Sequence, residues 1–547
     1  MAKFPPTPPG PHAQPHPARW LALLAAAACT ACGGSDGDDT PATPTPVALA
    51  CEAASFAALK LDNATITSAT PVAAGSYTPP GTNGALTGLP AFCLVKGQAT
   101  PTGDSLINFE AWVPQGSAWN GKLVTTGNGG YSPALSYRDM AYALAQGYAA
   151  IGGDTGHQGD PNAMDWGLGH PEKITDWGSR SIHAITVPAK QLVATLQGQP
   201  AKRAYYYGCS TGGHQAYAQV QRYPTDFDGV IAGAPGNNRT ALNAEFLWRY
   251  LSNRSSQADP ALLLTPAKAA LITNAAVAAC DTIDGVADGV IEDPRQCTSA
   301  RFDVGSLQCS GADAATCLTA AQVAAARKIY AGPVNPRTGV QIYPGQVVGS
   351  ESGWPGYWGG AEPVRTDYWR LWAFENPQWN WWTFDFDRDF SFALAKVGSR
   401  VDQTSTDLSA FKAAGAKLIT FQGWIDPVVV ATDTIAYYEK VKAAQGSQAE
   451  VDRFFKLFVV PGMGHCSGGP GATSFGNAGT PPVVDADHDL LSALDRWVEQ
   501  GTAPQRIVAS RVANGAVVRT RPVCAWPAKA VYGGSGSTDD AANFSCR

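Results

Sequence analysis

Tyr207-Gly208-Cys209-Ser210-Thr211-Gly212-Gly213 constrains this chain more than any other stretch. Gly208-x-Ser210-x-Gly212 fits the G-x-S-x-G pattern of a nucleophile elbow. The run Ala204 to Tyr207 before it reads as a buried strand. His214 to Arg222 after it reads as a helix that stops before Pro224. A strand turning sharply into a helix forces the serine into a strained backbone. The flanking glycines let the chain pass closely without Cβ clashes. The serine Oγ then projects above the sheet, and the amide after it can face an oxyanion. A simple Gly/Ser turn matches the same letters; the strand-turn-helix context argues against it.

The partners of such a serine can be found downstream. Leu418-Ile419-Thr420-Phe421 reads as a buried strand and leads into Gln422-Gly423-Trp424-Ile425-Asp426-Pro427. Phe454 to Val460 reads as another, ending in Pro461-Gly462-Met463-Gly464-His465-Cys466. An acid and a base thus sit on loops at strand ends, in the order Ser…Asp…His of an α/β-hydrolase. His465 is the expected base for Ser210, and Asp426 the residue that orients and stabilises the imidazole. Taken singly, the His is an ordinary loop residue and the Asp-Pro an ordinary turn. Thr126-Gly127-Asn128-Gly129-Gly130-Tyr131 follows a strand; Gly129 is the expected second oxyanion amide beside Thr211.

The N-terminus sets the compartment. Trp20 to Ala28 is a short apolar run behind Arg19, followed by small residues, as in a signal peptide. Cys29-Thr30-Ala31-Cys32-Gly33-Gly34-Ser35-Asp36 resembles a bacterial lipoprotein signal with Cys32, rather than Cys29, as the lipidated residue. The usual Leu three positions before that cysteine is missing, and the alternative is simple cleavage near Ala31. Either way the mature chain enters an oxidising space: the periplasm, the outer membrane as a lipoprotein, or the medium.

Twelve cysteines less Cys29 and Cys32 leave ten, an even number that suggests five disulfides. Sequence does not fix their pairing. Nearest-neighbour logic gives Cys51–Cys93, Cys280–Cys297, Cys309–Cys317 and Cys524–Cys546, which leaves Cys209 and Cys466. If those two pair, their Cα atoms lie within about 7 Å, and Ser210 and His465 are brought side by side.

Strand-like runs recur at Phe109 to Val113, Lys122 to Thr126, Tyr148 to Gly152, Ala204 to Tyr207, Gly229 to Ala232, Lys417 to Phe421 and Phe454 to Val460. Helical patterns alternate with them, a rhythm that predicts a mostly parallel sheet. The rhythm breaks between about Asn237 and Ser409, a block with four cysteines and most of the tryptophans. The expected fold class is α/β, an α/β-hydrolase core with a large inserted lid domain. The expected boundaries are a signal at 1–32, a flexible tether at 33–50, core at 51–236, lid at 237–409 and core again at 410–547. The net charge of −6, without a basic cluster, argues against a nucleic-acid partner.

Two more constellations stand out. Cys280-Asp281-Thr282-Ile283-Asp284-Gly285-Val286-Ala287-Asp288-Gly289-Val290 carries three carboxylates on a glycine turn, hard oxygen donors that suit Ca²⁺. Ile283 and Gly285 break the EF-hand pattern, and an acidic surface turn has the same composition. Tyr368-Trp369-Arg370-Leu371-Trp372-Ala373-Phe374, with Trp379, Trp381, Trp382 and Phe384, offers rings for an aromatic-substrate pocket or for a core.

Gly208-Cys209-Ser210-Thr211-Gly212-Gly213, the Asp426 loop, Gly464-His465-Cys466 and the Asp281-to-Val290 loop together resemble the tannase and feruloyl esterase family, which includes mono(2-hydroxyethyl) terephthalate hydrolases. The resemblance runs from about Cys51 to the C-terminus. It implies an α/β-hydrolase core, an inserted lid, a disulfide joining nucleophile and base, and a structural calcium. It carries Ser210, Asp426 and His465 over as triad, and Gly129 and Thr211 as oxyanion donors. Asp281, Asp284 and Asp288, with the carbonyls of Val286 and Val290, carry over as calcium ligands. Similar members often have His four residues before the acid, at a position facing the substrate; this chain has Gln422. Trp354, Arg365 and Trp369 are further candidate substrate contacts, and an arginine there could hold a carboxylate. The expected function is an exported serine esterase for small esters of aromatic acids, feruloyl or galloyl in type. A terephthalate monoester hydrolase is the alternative within that chemistry. A non-catalytic phenolic- or carbohydrate-binding protein on the same scaffold is the alternative outside it.

Overall fold

All seven of those strand-like runs enter one sheet. The computed structural model describes residues 49–547. The proposed export signal, Cys29, Cys32 and nearly all of the tether lie outside the described residues. The first eleven strands in chain order are β1 (Ala64–Val72), β2 (Gly75–Tyr77), β3 (Leu86–Leu89), β4 (Phe92–Ala99), β5 (Ile107–Pro114), β6 (Lys122–Thr126), β7 (Ala149–Gly153), β8 (Arg203–Cys209), β9 (Gly229–Gly233), β10 (Lys417–Gly423) and β11 (Phe455–Val460). Nine of them form the central sheet, in the order β1-β4-β5-β7-β6-β8-β9-β10-β11. From β7 through β6 to β11 every pair is parallel. β1, β4 and β5 add an antiparallel flank that meets β7. This is an α/β-hydrolase fold with a mixed sheet and large insertions.

Side chains alternate across each strand, so each strand feeds two apolar layers. Along β8, Tyr205 and Tyr207 face one layer and Tyr206 the other. The helices on these layers are amphipathic. Helix α1 (Tyr137–Ala145) and the later helix Leu490–Gln500 cover the Tyr205 side. A short α2 (Pro171–Thr175) is followed by α3 (Ser181–Gln197) and α4 (Thr211–Arg222); α3 and α4 cover the Tyr206 side together with the helix Ala431–Gln445. Ile182, Ile185, Ala189, Leu192, Val193 and Leu196 form the buried stripe of α3 at three- and four-residue spacing. Gly198 ends that helix in the left-handed conformation, at φ 67°.

Residues 237–409 add no strand to the sheet. The chain leaves β9 and returns in β10, its parallel neighbour. Within this stretch run α5 (Arg239–Ser252), α6 (Pro266–Cys280) and α7 (Ala320–Ala331). Helices α6 and α7 pack with Trp354 and Trp358 in one apolar cluster, pinned by Cys280–Cys297. A second cluster sets Trp369, Trp372 and Phe384 against Tyr131 and Trp177 from the sheet side. The dense aromatic stretch therefore serves mainly as core. The other disulfides are Cys51–Cys93, Cys209–Cys466, Cys309–Cys317 and Cys524–Cys546. No helix among the described residues is long and apolar enough to cross a membrane.

Candidate active site

Ser210 stands where β8 turns into α4. Its φ of 63° and ψ of −118° are unusual for a residue with a side chain, and its amide is held by the Gly233 carbonyl at 2.9 Å. Glycine is required around it for space. A Cβ on Gly208 would lie 2.8 Å from the Gly212 backbone, and one on Gly213 would lie 2.1 Å from the Gly233 carbonyl oxygen. Gly213→Ala must displace either α4 or the strand that holds the Ser210 amide. The expected cost is about 1–3 kcal/mol of stability and, through misplacement of Ser210, about 10²-fold in kcat. Thermal melting and p-nitrophenyl ester hydrolysis measure the two; an unchanged variant would show that the elbow tolerates a wider turn.

Two loops at the ends of β10 and β11 bring the polar partners. His465 Nε2 lies 2.8 Å from Ser210 Oγ, and Nδ1 lies 2.8 Å from Asp426 Oδ2. Asp426 is buried. Its Oδ1 accepts the amides of Val428 at 2.7 Å and Val429 at 3.0 Å. Its Oδ2 also accepts a hydrogen bond from Gln422 Nε2 at 3.1 Å. Cys209 and Cys466 are bonded, with Cα atoms 6.0 Å apart, so the residue before Ser210 is fastened to the residue after His465.

Gln422 departs from the sequence reading. It is fully buried, donates also to the Val429 carbonyl at 2.9 Å, and accepts from Thr434 Oγ1 at 3.0 Å. It faces the acid, not a substrate, and fixes the oxygen that meets His465. Trp354 and Trp369 also depart from it. Both are buried within apolar clusters and line no part of the cleft at Ser210. Trp354 Nε1 is occupied by Ser350 Oγ at 2.9 Å. Indole rings of this size are stabilised most by full enclosure.

Arg365 does reach the site. A cleft of about 370 Å³ is lined by Gly129, Gly130, Ser210, Tyr357, Arg365 and His465. The Arg365 guanidinium lies 4.9 Å from the Phe246 ring centroid and 5.4 Å from that of Tyr131, and its buried Nη1 has no hydrogen-bond partner. Burial pushes its pKa down. Its φ of 60° is left-handed, unusual for arginine.

The glycine loop after β6 is held firmly. Thr211 Oγ1 donates to the Gly130 carbonyl at 2.8 Å, and Arg239 Nη2 donates to Thr211 Oγ1 at 3.3 Å. Burial pushes the Arg239 pKa down to about 10. Asn128 ties the same loop to the Gly153 carbonyl at 2.8 Å. Thr211 is the first residue of α4, so its amide has no acceptor inside the helix and is available to an anion. Arg239, Tyr357 and the Gln422–Asp426 contact were not found from sequence. A buried arginine and a lone tyrosine in a long irregular segment leave no periodic signal.

The acidic loop lines no part of this cleft. Asp281 Oδ1 accepts the amides of Asp288, Gly289 and Val290 at 3.2, 3.0 and 3.1 Å. Asp284 Oδ1 accepts the Val286 amide at 3.1 Å. Asp288 Oδ2 is met by Arg521 at 2.6 Å and Arg519 at 3.3 Å. The donor set, three carboxylates with the carbonyls of Val286 and Val290, has the chemistry of a hard-cation site. Among the described residues no three acidic, His or Cys side chains converge as a preformed metal centre.

Known proteins resemble this chain over most of its length. An uncharacterized esterase of Xanthomonas campestris pv. campestris is 39% identical over 541 residues, 92% of each chain. Feruloyl esterase C of Talaromyces stipitatus is 35% identical over 462 residues, 83% of this chain and 85% of its own. The crystal structure of feruloyl esterase B from Aspergillus oryzae superposes with a TM-score of 0.83 at 30% identity, over 90% of this chain and 99% of that one. The model of the family described as tannase and feruloyl esterase matches residues 93–547. The chain is a carboxylic ester hydrolase and belongs to the tannase and feruloyl esterase family.

Proposed function

We propose that this enzyme hydrolyses esters of aromatic acids, of feruloyl or galloyl type, through an acyl-enzyme on Ser210. The unbroken Ser210–His465–Asp426 hydrogen-bond chain carries the acyl-enzyme chemistry, and the likeness to feruloyl esterases supports the class of acid. His465 takes the proton from Ser210 Oγ as that oxygen attacks the ester carbonyl. The amides of Gly129 and Thr211 receive the oxyanion. His465 then gives its proton to the leaving alcohol, and water repeats the sequence on the acyl-enzyme. Asp426 keeps the imidazole in the tautomer this needs. Gln422 and the two valine amides keep Asp426 in place.

Arg365 supports a second substrate reading, a terephthalate monoester. Arg365 lines the cleft and its Nη1 has no hydrogen-bond partner, which suits an acyl group that bears a carboxylate. Feruloyl and galloyl groups bring no such charge. Methyl ferulate, methyl gallate and mono(2-hydroxyethyl) terephthalate, tested on the purified protein and on Arg365→Leu, separate the two. The carboxylate reading expects Arg365→Leu to cost about 10-fold to 10²-fold in kcat/KM on the terephthalate monoester alone, the scale of one charged hydrogen bond. Equal effects on all three would leave Arg365 a packing residue. Turnover of none of them would remove the aromatic-ester assignment. Five disulfides favour an exported protein, with a lipid anchor at Cys32 as one form of it.

The acidic loop is proposed to bind one Ca²⁺ through Asp281, Asp284, Asp288 and the carbonyls of Val286 and Val290. The ion would supply charge balance and stiffness to a loop that lines no part of the catalytic cleft. Binding only the folded state raises stability by mass action, about 2.7 kcal/mol at a hundredfold excess over Kd. Chelation is expected to lower Tm by several degrees while kcat at room temperature holds. A melting curve indifferent to chelator and to Asp284→Ala, with no calcium by elemental analysis, would leave the Asp288–Arg521 pair as what closes the loop.

A further inference from the structure

Helix α5 carries two buried arginines, and their surroundings differ. Arg249 is paired: Nε donates to Glu245 Oε1 at 3.0 Å and Nη1 to the Pro427 carbonyl at 2.8 Å. Arg239 is not. Among the described residues no carboxylate pairs with it, its Nε has no hydrogen-bond partner, and Thr211 Oγ1 is the one acceptor on its guanidinium. Asp402, the carboxylate whose charge it feels, is bonded instead to the amide and the hydroxyl of Thr240, both at 2.8 Å. Arg239 is also the first residue of α5, the end at which the helix dipole disfavours a cation. The Trp177 ring, with its centroid 5.1 Å away, gives partial compensation. Burial lowers the pKa to about 10, which leaves the group charged at neutral pH. A buried charge without a partner is strongly unfavourable.

We propose that Arg239 is a positioning residue for the oxyanion hole, a cation that holds the Thr211 hydroxyl on the Gly130 carbonyl and whose missing counter-charge is the oxyanion itself. The inference rests on the serine esterase mechanism above. The Thr211 hydroxyl has one proton, which goes to the Gly130 carbonyl at 2.8 Å. Its lone pair is then free to accept from Arg239 Nη2 at 3.3 Å. A hydroxyl that accepts from a cation is a stronger donor, so the arginine tightens the bond between the serine elbow and the glycine loop. Those two segments carry the oxyanion amides, Thr211 and Gly129, and the bond fixes their spacing. In the free enzyme the charge behind Thr211 has nothing to neutralise. When Ser210 Oγ adds to the ester carbonyl, a negative charge develops on the oxygen at these amides. A cation fixed in the low-dielectric interior behind them stabilises it. An attraction that exists only at that moment lowers the barrier without tightening substrate binding.

Arg239→Met keeps the bulk and removes the charge. It is expected to lower kcat about 10-fold to 10²-fold, less than the loss of a direct oxyanion donor, with KM within about twofold of wild type. An aryl trifluoromethyl ketone adds to Ser210 as an anionic hemiketal, and its inhibition is expected to weaken by the same factor as kcat/KM. The alcohol obtained by reducing that ketone has nearly the same shape and accepts no nucleophile; its inhibition is expected to be unchanged. Arg239→Lys returns the charge and is expected to recover at least half of the loss on a logarithmic scale. Arg239→Gln, a donor without charge, is the second variant should methionine not fold, and the same split between ketone and alcohol is expected of it. Thermal melting confirms that the variants are folded. Wild-type kcat in a folded uncharged variant overturns the proposal. So does a ketone that keeps its affinity, a ketone and alcohol weakened alike, or a lysine no better than methionine. Failure of the wild type to turn over any ester overturns the esterase mechanism, and this proposal with it.

Discussion

Replacing Ser210 with alanine is expected to lower kcat by about 10⁶-fold, the scale on which a triad serine acts. Among the described residues nothing else offers a substitute nucleophile at His465 Nε2, which lies 2.8 Å from this one oxygen. Stability should change by only about 1 kcal/mol, the worth of one hydrogen bond. The strained backbone at Ser210 is held by the Gly233 carbonyl and by the glycines around it, and alanine leaves those contacts intact. Active-site titration and ester hydrolysis read the first effect, thermal melting the second. More than a few per cent of wild-type rate would place the chemistry on another residue.

Removing the Cys209–Cys466 bond by replacing both with alanine is expected to affect stability and rate together. The bond joins positions 257 residues apart. Loop-closure entropy for so long a span predicts about 5 kcal/mol, with measured losses often smaller. Cys466 also sits at a φ of 62°, a conformation that an unbonded alanine has no reason to keep. Relaxation there moves His465 relative to Ser210, and a shift near 1 Å costs about 10²-fold. A double variant with wild-type Tm and kcat would show that loop packing alone sets the triad. Asn477, which donates to the Cys466 carbonyl at 2.7 Å, would then be the residue to examine.

The parts legible in sequence are those with a local pattern. The Ser210 elbow, the two loops after β10 and β11, and the parallel strands each carry apolar runs bounded by glycine or proline. Strands β1 and β4 were missed for a related reason. Ala64–Val72 is mostly Thr, Ser and Ala at a sheet edge, and Phe92–Ala99 is interrupted by Lys96, Gly97 and Gln98. Neither reads as a buried run. Side-chain direction was not legible at all. Gln422 lies at the end of β10, where one step of pleat decides between substrate and Asp426, and its letter is the same in both cases. Trp354 and Trp369 fail similarly, since a ring that lines a pocket and a ring that fills a core have identical composition. Arg365 stands among the candidate substrate contacts named with the family resemblance, while Arg239, behind Thr211, carries no signal that separates it from a surface arginine.

The return of the chain from β9 to its immediate neighbour β10 makes residues 237–409 a single, very long detour between two adjacent strands. The sheet places no demand on the length or content of that detour. Tyr357 and Arg365, which face Ser210, both belong to it. The serine and the histidine stand outside it and are bolted to each other by the Cys209–Cys466 bond. On the substrate reading proposed for Arg365, part of acyl-group recognition lies in the detour while bond cleavage lies outside it. Insertions, deletions and substitutions can accumulate in the detour and redirect the enzyme to new acids while the reacting atoms keep their spacing.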